Sequence, residues 1–256
     1  MSGFKMQRLG LVIGLEPGNP LETEGVLNPA AIRGPDDHLY LFPRLVAQGN
    51  YSRIGIARVR FNEIGDPASV EWLGIALEPE ADYERRPGGG GGCEDPRITF
   101  VETLHLYVMT YTAFSAKGPR IALAVSEDLF HWRRLGLASF RPYHGIEFEG
   151  VDNKDASVFP VAIPDPSGQP AMAILHRPLF SWNSSRGNGV PPNVPRGGSP
   201  SREHLDFLLL NGNRRLRATS PVSLWLPSSA GHSRGALGAI QNPDQSGVYL
   251  YDQPQP

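Results

Sequence analysis

The chain has 256 residues, with 24 lysines and arginines against 26 aspartates and glutamates and a formal net charge of −2. That length can bury a sizeable core, and the balanced charge excludes nucleic acid or an anionic membrane as the main partner. The single cysteine rules out an internal disulfide framework and fits a reducing compartment, so a cytoplasmic protein is expected. The apolar run Leu11-Val12-Ile13-Gly14-Leu15 stops at Glu16 and Pro17, too short for a signal segment or a spanning helix. High glycine (29) and proline (25) favour short strands and turns over long helices.

In chain order, residues 1–27 lead into Asn28-Pro29-Ala30-Ala31 and a turn at Gly34-Pro35-Asp36-Asp37. Strand-like text follows at His38–Arg44, at Ser52–Val59 after Gly49-Asn50, and at Val70–Gly74. Next come five glycines, Gly88–Gly92, then Cys93-Glu94-Asp95-Pro96-Arg97 and a β-like run from Ile98 to Val101. Pro96 pushes Asp95 towards an extended conformation. Two readings of this stretch stay open: a stiff corner presenting an acid pair, and a flexible linker beside a surface ion pair.

The same order then recurs. Pro29 matches Pro96, Leu39-Tyr40 matches Leu106-Tyr107, and Arg53-Ile54 matches Arg120-Ile121, all at an offset of about 67 residues. A weaker third copy runs from Asn153-Lys154-Asp155-Ala156 through a turn at Asp165–Gly168 to Leu175-His176-Arg177-Pro178. Repeats of this size built from several short strands predict an all-β propeller, one blade per repeat, with a sandwich as the competing architecture.

In a propeller, equivalent positions of successive blades converge on the axis. The blade-start positions are Asn28, Asp95 and Lys154. Convergence would set the carboxylates of Glu94 and Asp95 against a basic cluster of Arg53, Arg120, Lys154, His176 and Arg177; taken singly, each of these cations also suits a solvated strand end. An inverting glycosidase needs one carboxyl as acid and another as base to activate water. A phosphorylase replaces water with phosphate, so cations take the place of the second carboxylate.

At these residues the sequence resembles glycoside hydrolase family 130, the β-mannoside phosphorylases and related β-mannosidases. The motifs that carry the resemblance are Gly92–Arg97, Gly118-Pro119-Arg120-Ile121-Ala122-Leu123-Ala124 with Ser126 and Trp132, Asn153–Ala156 and Leu175–Pro178. The resemblance implies a five-bladed β-propeller, here incomplete, with about three blades recognisable. It implies Asp95 as general acid, acting through a hydroxyl of the mannose in subsite −1. Arg53, Arg120, Lys154, His176 and Arg177 would bind inorganic phosphate, and Asn28, Arg44, Glu94, Arg97, Tyr111 and Asp155 would bind or shape the sugar site. The implied reaction cleaves a β-mannoside oligosaccharide with phosphate as co-substrate, giving α-mannose 1-phosphate with inversion and using no cofactor. Hydrolysis by the same site, and sugar binding without turnover, remain the alternatives.

Blander assignments compete at several positions. Tyr111-Thr112 fits a blade core as well as a sugar site, Trp132 fits a structural tryptophan, and Cys93 fits packing. Metal-ligand spacings, a P-loop, a dinucleotide fingerprint and a nucleophile elbow are all absent from the sequence.

The pattern fails after about Phe180. Residues 181–203 are a run rich in Ser, Asn, Gly, Pro and Arg, and 204–256 hold scattered apolar pieces such as Leu205–Leu210. The expected division is therefore a propeller region, 1–180, and an atypical region, 181–256, that is either disordered or translated out of frame. Open strand edges in such a chain would invite association with a second copy.

Overall fold

The computed structural model describes residues 8–140, 147–165 and 168–180 in full. It also describes Gln7, His204–Leu210, Leu216–Val222, Gly238–Gln241 and Gly247–Asp252 as backbone strands. The low-complexity run 181–203 and the end at Gln253–Pro256 lie outside the described residues.

The described chain is all-β. A first sheet holds β2 (Gly25–Arg33), β3 (Leu39–Ala47), β4 (Tyr51–Phe61) and β5 (Pro67–Leu77), preceded by β1 (Gln7–Gly14). A second repeats it strand for strand: β6 (Gly91–Val101), β7 (Leu106–Ser115), β8 (Gly118–Ser126) and β9 (Arg133–Leu137). Within each sheet neighbouring strands are antiparallel, and two parallel rungs, Tyr51 to Gly91 and Ser52 to Gly92, join β4 to β6.

A third sheet holds β10 (Asp152–Val158), the short β11 (Ile163–Pro164), β12 (Pro170–Leu179), β13 (His204–Leu210) and β14 (Leu216–Val222). β12 pairs with β13 from Met172 through His176, so this sheet runs across residue 180. The sequence division at 180 therefore passes through a blade. β13 covers the apolar piece Leu205–Leu210, which recruits the neighbouring strand although no repeat is visible around it. β15 (Gly238–Gln241) and β16 (Gly247–Asp252) form a further sheet with β1.

Successive sheets stack face to face, which is the propeller arrangement. Both faces of the middle strands are buried, so their sequence is nearly continuously apolar. Alternate residues serve opposite neighbours: Tyr107, Met109 and Tyr111 of β7 pack with Phe42, Ile54 and Ile56 of the first sheet. Val108, with Ile121 and Leu123 of β8, packs instead on Ala156, Val158 and Ile174 of the third. Two hydroxyls stitch the second and third sheets together, Thr110 donating to the Ala156 carbonyl at 2.5 Å and Thr99 to that of Val158 at 3.0 Å. Among the described residues the sheets do not close into a ring, as in an incomplete propeller.

The five-glycine run is no flexible linker. Gly88–Gly92 all have positive φ, and Gly90, Gly91 and Gly92 are buried. A Cβ at Gly91 would lie 2.2 Å from the Phe114 carbonyl oxygen, and one at Gly92 2.2 Å from that of Ser52. Only glycine lets the start of β6 pass so close to both neighbouring strands.

Candidate active site

The inner strands β2, β6 and β10 each carry one bulge, where the register slips between Leu27 and Ala30, Glu94 and Arg97, and Lys154 and Ser157. At each bulge a non-glycine residue takes the left-handed conformation: Asn28 (φ 45°), Asp95 (φ 50°) and Asp155 (φ 54°). Asn and Asp tolerate this region better than other side chains, and a bulge re-aims the side chain it carries. Three blades thus present one short polar group each from the same position. The sequence reading placed Lys154 in this set; the structure puts Asp155 there, because the bulge falls between Lys154 and Ser157 and makes Lys154 the equivalent of Leu27 and Glu94, one position before the bulged residue.

The groups meet around the acid pair. Asn28 donates its side-chain amide to Asp95 Oδ1 at 2.8 Å, and Arg44 Nη1 lies 3.2 Å from the same oxygen. Arg44 Nη2 donates to Glu94 Oε1 at 2.9 Å, and Lys154 Nζ donates to Glu94 Oε2 at 3.0 Å. Ser52 and Asn50 hold the rest of the Arg44 guanidinium, at 2.9 and 2.8 Å. Glu94 is 1% exposed and Asp95 6%. Glu94 therefore has a cation on each oxygen, whereas both contacts on Asp95 fall on Oδ1 and none falls on Oδ2 among the described residues. Beside Glu94, across the β6–β7 rung, sits Thr112, whose buried hydroxyl has no hydrogen-bond partner in the described structure.

The predicted cations divide. Lys154 and Arg177 are cross-strand partners on β10 and β12, and Arg177 pairs with Asp155. Arg120 pairs with Asp152 at 2.5 Å, which ties it to the strand that carries Lys154. Arg53 is held by both oxygens of Glu78, at 2.7 and 2.8 Å, and lies over the Tyr51 ring. Its Nη1 is buried with no hydrogen-bond partner among the described residues.

Arg53, Arg120, Arg177 and Asp155 thus have partners other than the acid pair, and three further predicted residues are held elsewhere as well. His176 is fully buried, stacked on Phe140 with ring centroids 4.0 Å apart and its Nδ1 2.8 Å from the Asn153 amide. Strand parity turns it away from Arg177. Tyr111 points to the opposite face of β7 from Thr112, and its hydroxyl donates to Glu84 Oε1 at 2.5 Å. It is a core residue, the blander of the two sequence assignments. Arg97 donates to the Pro96 carbonyl at 2.8 Å and forms no ion pair among the described residues.

Behind the site lies a buried network that sequence reasoning missed. Glu84, fully buried, accepts from Tyr111, from Arg134 Nε at 2.8 Å and from the backbone N–H groups of Glu80 and Ala81. Burial alone would raise the Glu84 pKa, but these hydrogen bonds outweigh it and hold the carboxyl below its usual value. Burial pushes the Tyr111 hydroxyl and the Cys93 thiol well above theirs. Cys93 is thus a packing residue. Trp132 is structural too, donating to the Leu129 carbonyl at 2.8 Å and meeting the Phe42 ring edge-on.

The site thus sets a carboxylate with a cation on each oxygen, Glu94, beside a second buried carboxylate, Asp95, that shares one of those cations. Among the described residues no group of three or more His, Cys, Asp or Glu side chains is placed to hold a metal ion, and no helix is long and apolar enough to cross a membrane.

Residues 8–177 match the sequence profile of glycoside hydrolase family 130, described as beta-1,4-mannooligosaccharide phosphorylase. No protein of curated function matches the chain by sequence. The fold is shared with a β-1,2-mannobiose phosphorylase from Listeria innocua in complex with β-1,2-mannobiose (16% identity, TM-score 0.57, 98% of this chain and 75% of that one). It is shared with a family structure reported with glycoside hydrolases that target β-1,2 mannosidic linkages in Candida mannan (20%, 0.56, 98% and 70%). A glycoside hydrolase structure from Parabacteroides distasonis is also similar (18%, 0.52, 98% and 96%). The chain belongs to glycoside hydrolase family 130, whose members are carbohydrate-active enzymes acting on mannosides.

Proposed function

We propose that this protein is an inverting β-mannoside phosphorylase. The observation that carries the reading is the state of the carboxylates: Glu94 is committed to Arg44 and Lys154, and Asp155 to Arg177, while Asp95 shares Arg44 through Oδ1 only, which leaves Asp95 as acid without a free partner as base. A nucleophile that needs no base fits that site, and phosphate is one. An oxygen of phosphate attacks the anomeric carbon as the bond to the aglycone oxygen breaks. The proton for that leaving oxygen comes from Asp95, relayed by a mannose hydroxyl. Attack opposite the leaving group gives α-mannose 1-phosphate. Lys154, Arg177 and Arg120 supply positive charge around β10, and the buried Arg53 Nη1, which has no hydrogen-bond partner among the described residues, is a further donor.

A second reading, hydrolysis, draws on a different observation. Arg53, Arg120, Lys154 and Arg177 all have carboxylate partners already, and the Asp155 side chain is 31% exposed. Water with Asp155 as base would then replace phosphate. Incubation with β-1,4-mannobiose, with and without inorganic phosphate, separates the two. The phosphorylase reading expects mannose 1-phosphate and almost no cleavage in phosphate-free buffer; equal cleavage without phosphate overturns it.

A further inference from the structure

The glycine-rich segment carries a cation that the functional reading has not used. Arg86 lies just before Gly88–Gly92, and its guanidinium carbon is 5.2 Å from the centroid of the Phe114 ring. Lys154 Nζ lies over the same ring, at 5.6 Å. Phe114 is itself fixed on the site's wall, since it pairs with Gly92 of β6, two residues before Glu94. One aromatic ring on the edge of the acid pair therefore gathers two cations.

Their electrostatic situations differ. Lys154 is neutralised by Glu94, and Arg44, Arg53, Arg120 and Arg177 likewise have carboxylate partners. Arg86 has no ion pair and no side-chain hydrogen bond among the described residues, and it is exposed. A guanidinium is also more weakly hydrated than an ammonium and offers a fork of donors that matches phosphate oxygens. The segment that positions it is pinned at its far end, where Gly91 and Gly92 pass against the Phe114 and Ser52 carbonyls.

We infer that Arg86 is an anion-contacting residue of this site, binding the phosphate group together with Lys154 across Phe114. The inference rests on the phosphorylase reading for its ligand, and the same phosphate group reaches the site free in one direction of the reaction and esterified to mannose in the other.

The test is calorimetric titration of the full chain with inorganic phosphate alone, in wild type, Arg86→Gln and Arg86→Lys, and then with mannose 1-phosphate. The expected result is phosphate binding about tenfold weaker in Arg86→Gln and partly restored in Arg86→Lys. A parallel loss for mannose 1-phosphate places the contact on the phosphate common to both; a loss confined to one ligand identifies which source it reads. Equal phosphate affinity in wild type and Arg86→Gln overturns the inference and leaves the phosphorylase reading standing. Absence of phosphate binding in the wild type overturns it as well. Phosphate-independent cleavage by a wild type that still binds phosphate through Arg86 overturns only the phosphorylase reading.

Discussion

The Asn28 amide donates to the Asp95 carboxylate at 2.8 Å, and the two residues stand 67 positions apart at the same bulge of successive blades. One repeated position thus supplies both Asp95 and a group that orients it. The left-handed backbone at each is what turns the two side chains towards each other, and both residue types accept that conformation at low cost. Arg44 completes the arrangement by touching both members of the acid pair.

Asp95→Asn should abolish turnover while keeping the fold. Asparagine tolerates φ 50° and is isosteric, so the bulge survives, but it has no acidic proton to give. Steady-state assay on β-mannobiose should show kcat lower by roughly 10²- to 10⁴-fold. Retained turnover would remove Asp95 from the acid role, and retained sugar affinity with no wild-type turnover would make the protein a binder.

Arg44→Met should be strongly destabilising. The Arg44 side chain is 10% exposed, those of Glu94 and Asp95 1% and 7%, and removal of the guanidinium leaves buried carboxylates short of a counter-charge. Breaking a buried pair in this way costs about 3–5 kcal/mol. Denaturant unfolding should show a loss of that order, with Arg44→Lys recovering little because one ammonium cannot reproduce the forked contacts. A change below about 1 kcal/mol would contradict the ion-pair account.

Within the glycine run, position decides the cost. Gly92→Ala puts a Cβ 2.2 Å from a backbone oxygen at φ +112°, whereas Gly88→Ala at φ +88° meets nothing within 4 Å. Gly88→Ala should cost only the left-handed strain, about 1–2 kcal/mol. Gly92→Ala adds displacement of β6 against β4, for a total above about 3 kcal/mol and lost activity. Equal melting temperatures for the two variants would show that the close approach is not tight.

Acidification should weaken the fold through Glu84. Its folded pKa lies below the ordinary 4.5, so its contribution is present above that pH and is lost as pH falls below it. Glu84→Gln should lower stability at neutral pH and flatten the pH dependence of unfolding below about 4.5. Tyr111→Phe should cost about 1.5–3 kcal/mol at neutral pH, since it removes a donor to a buried charge. An unchanged acid slope in Glu84→Gln would assign that sensitivity to other carboxylates.

The sequence by itself determined the strand content, the spacing of the first two blades and the local motifs around Asp95, Lys154 and Arg177. Those features depend on near neighbours: glycine and proline set the turns, and Asn28-Pro29 and Asp95-Pro96 repeat in matching places. Tertiary structure alone decided which face each residue serves. In strands buried on both sides, His176 and Arg177, or Tyr111 and Thr112, look equivalent in sequence, and a bulge reverses parity without changing composition. The bulges set Asp155 rather than Lys154 at the position of Asn28 and Asp95, since the third copy follows the second at a shorter spacing than the second follows the first. The engagement of Glu94 by Arg44 and Lys154, and the meeting of Arg86 with Lys154 over Phe114, join residues from separate blades and loops. Such contacts arise from the stacking of sheets, which local sequence does not encode.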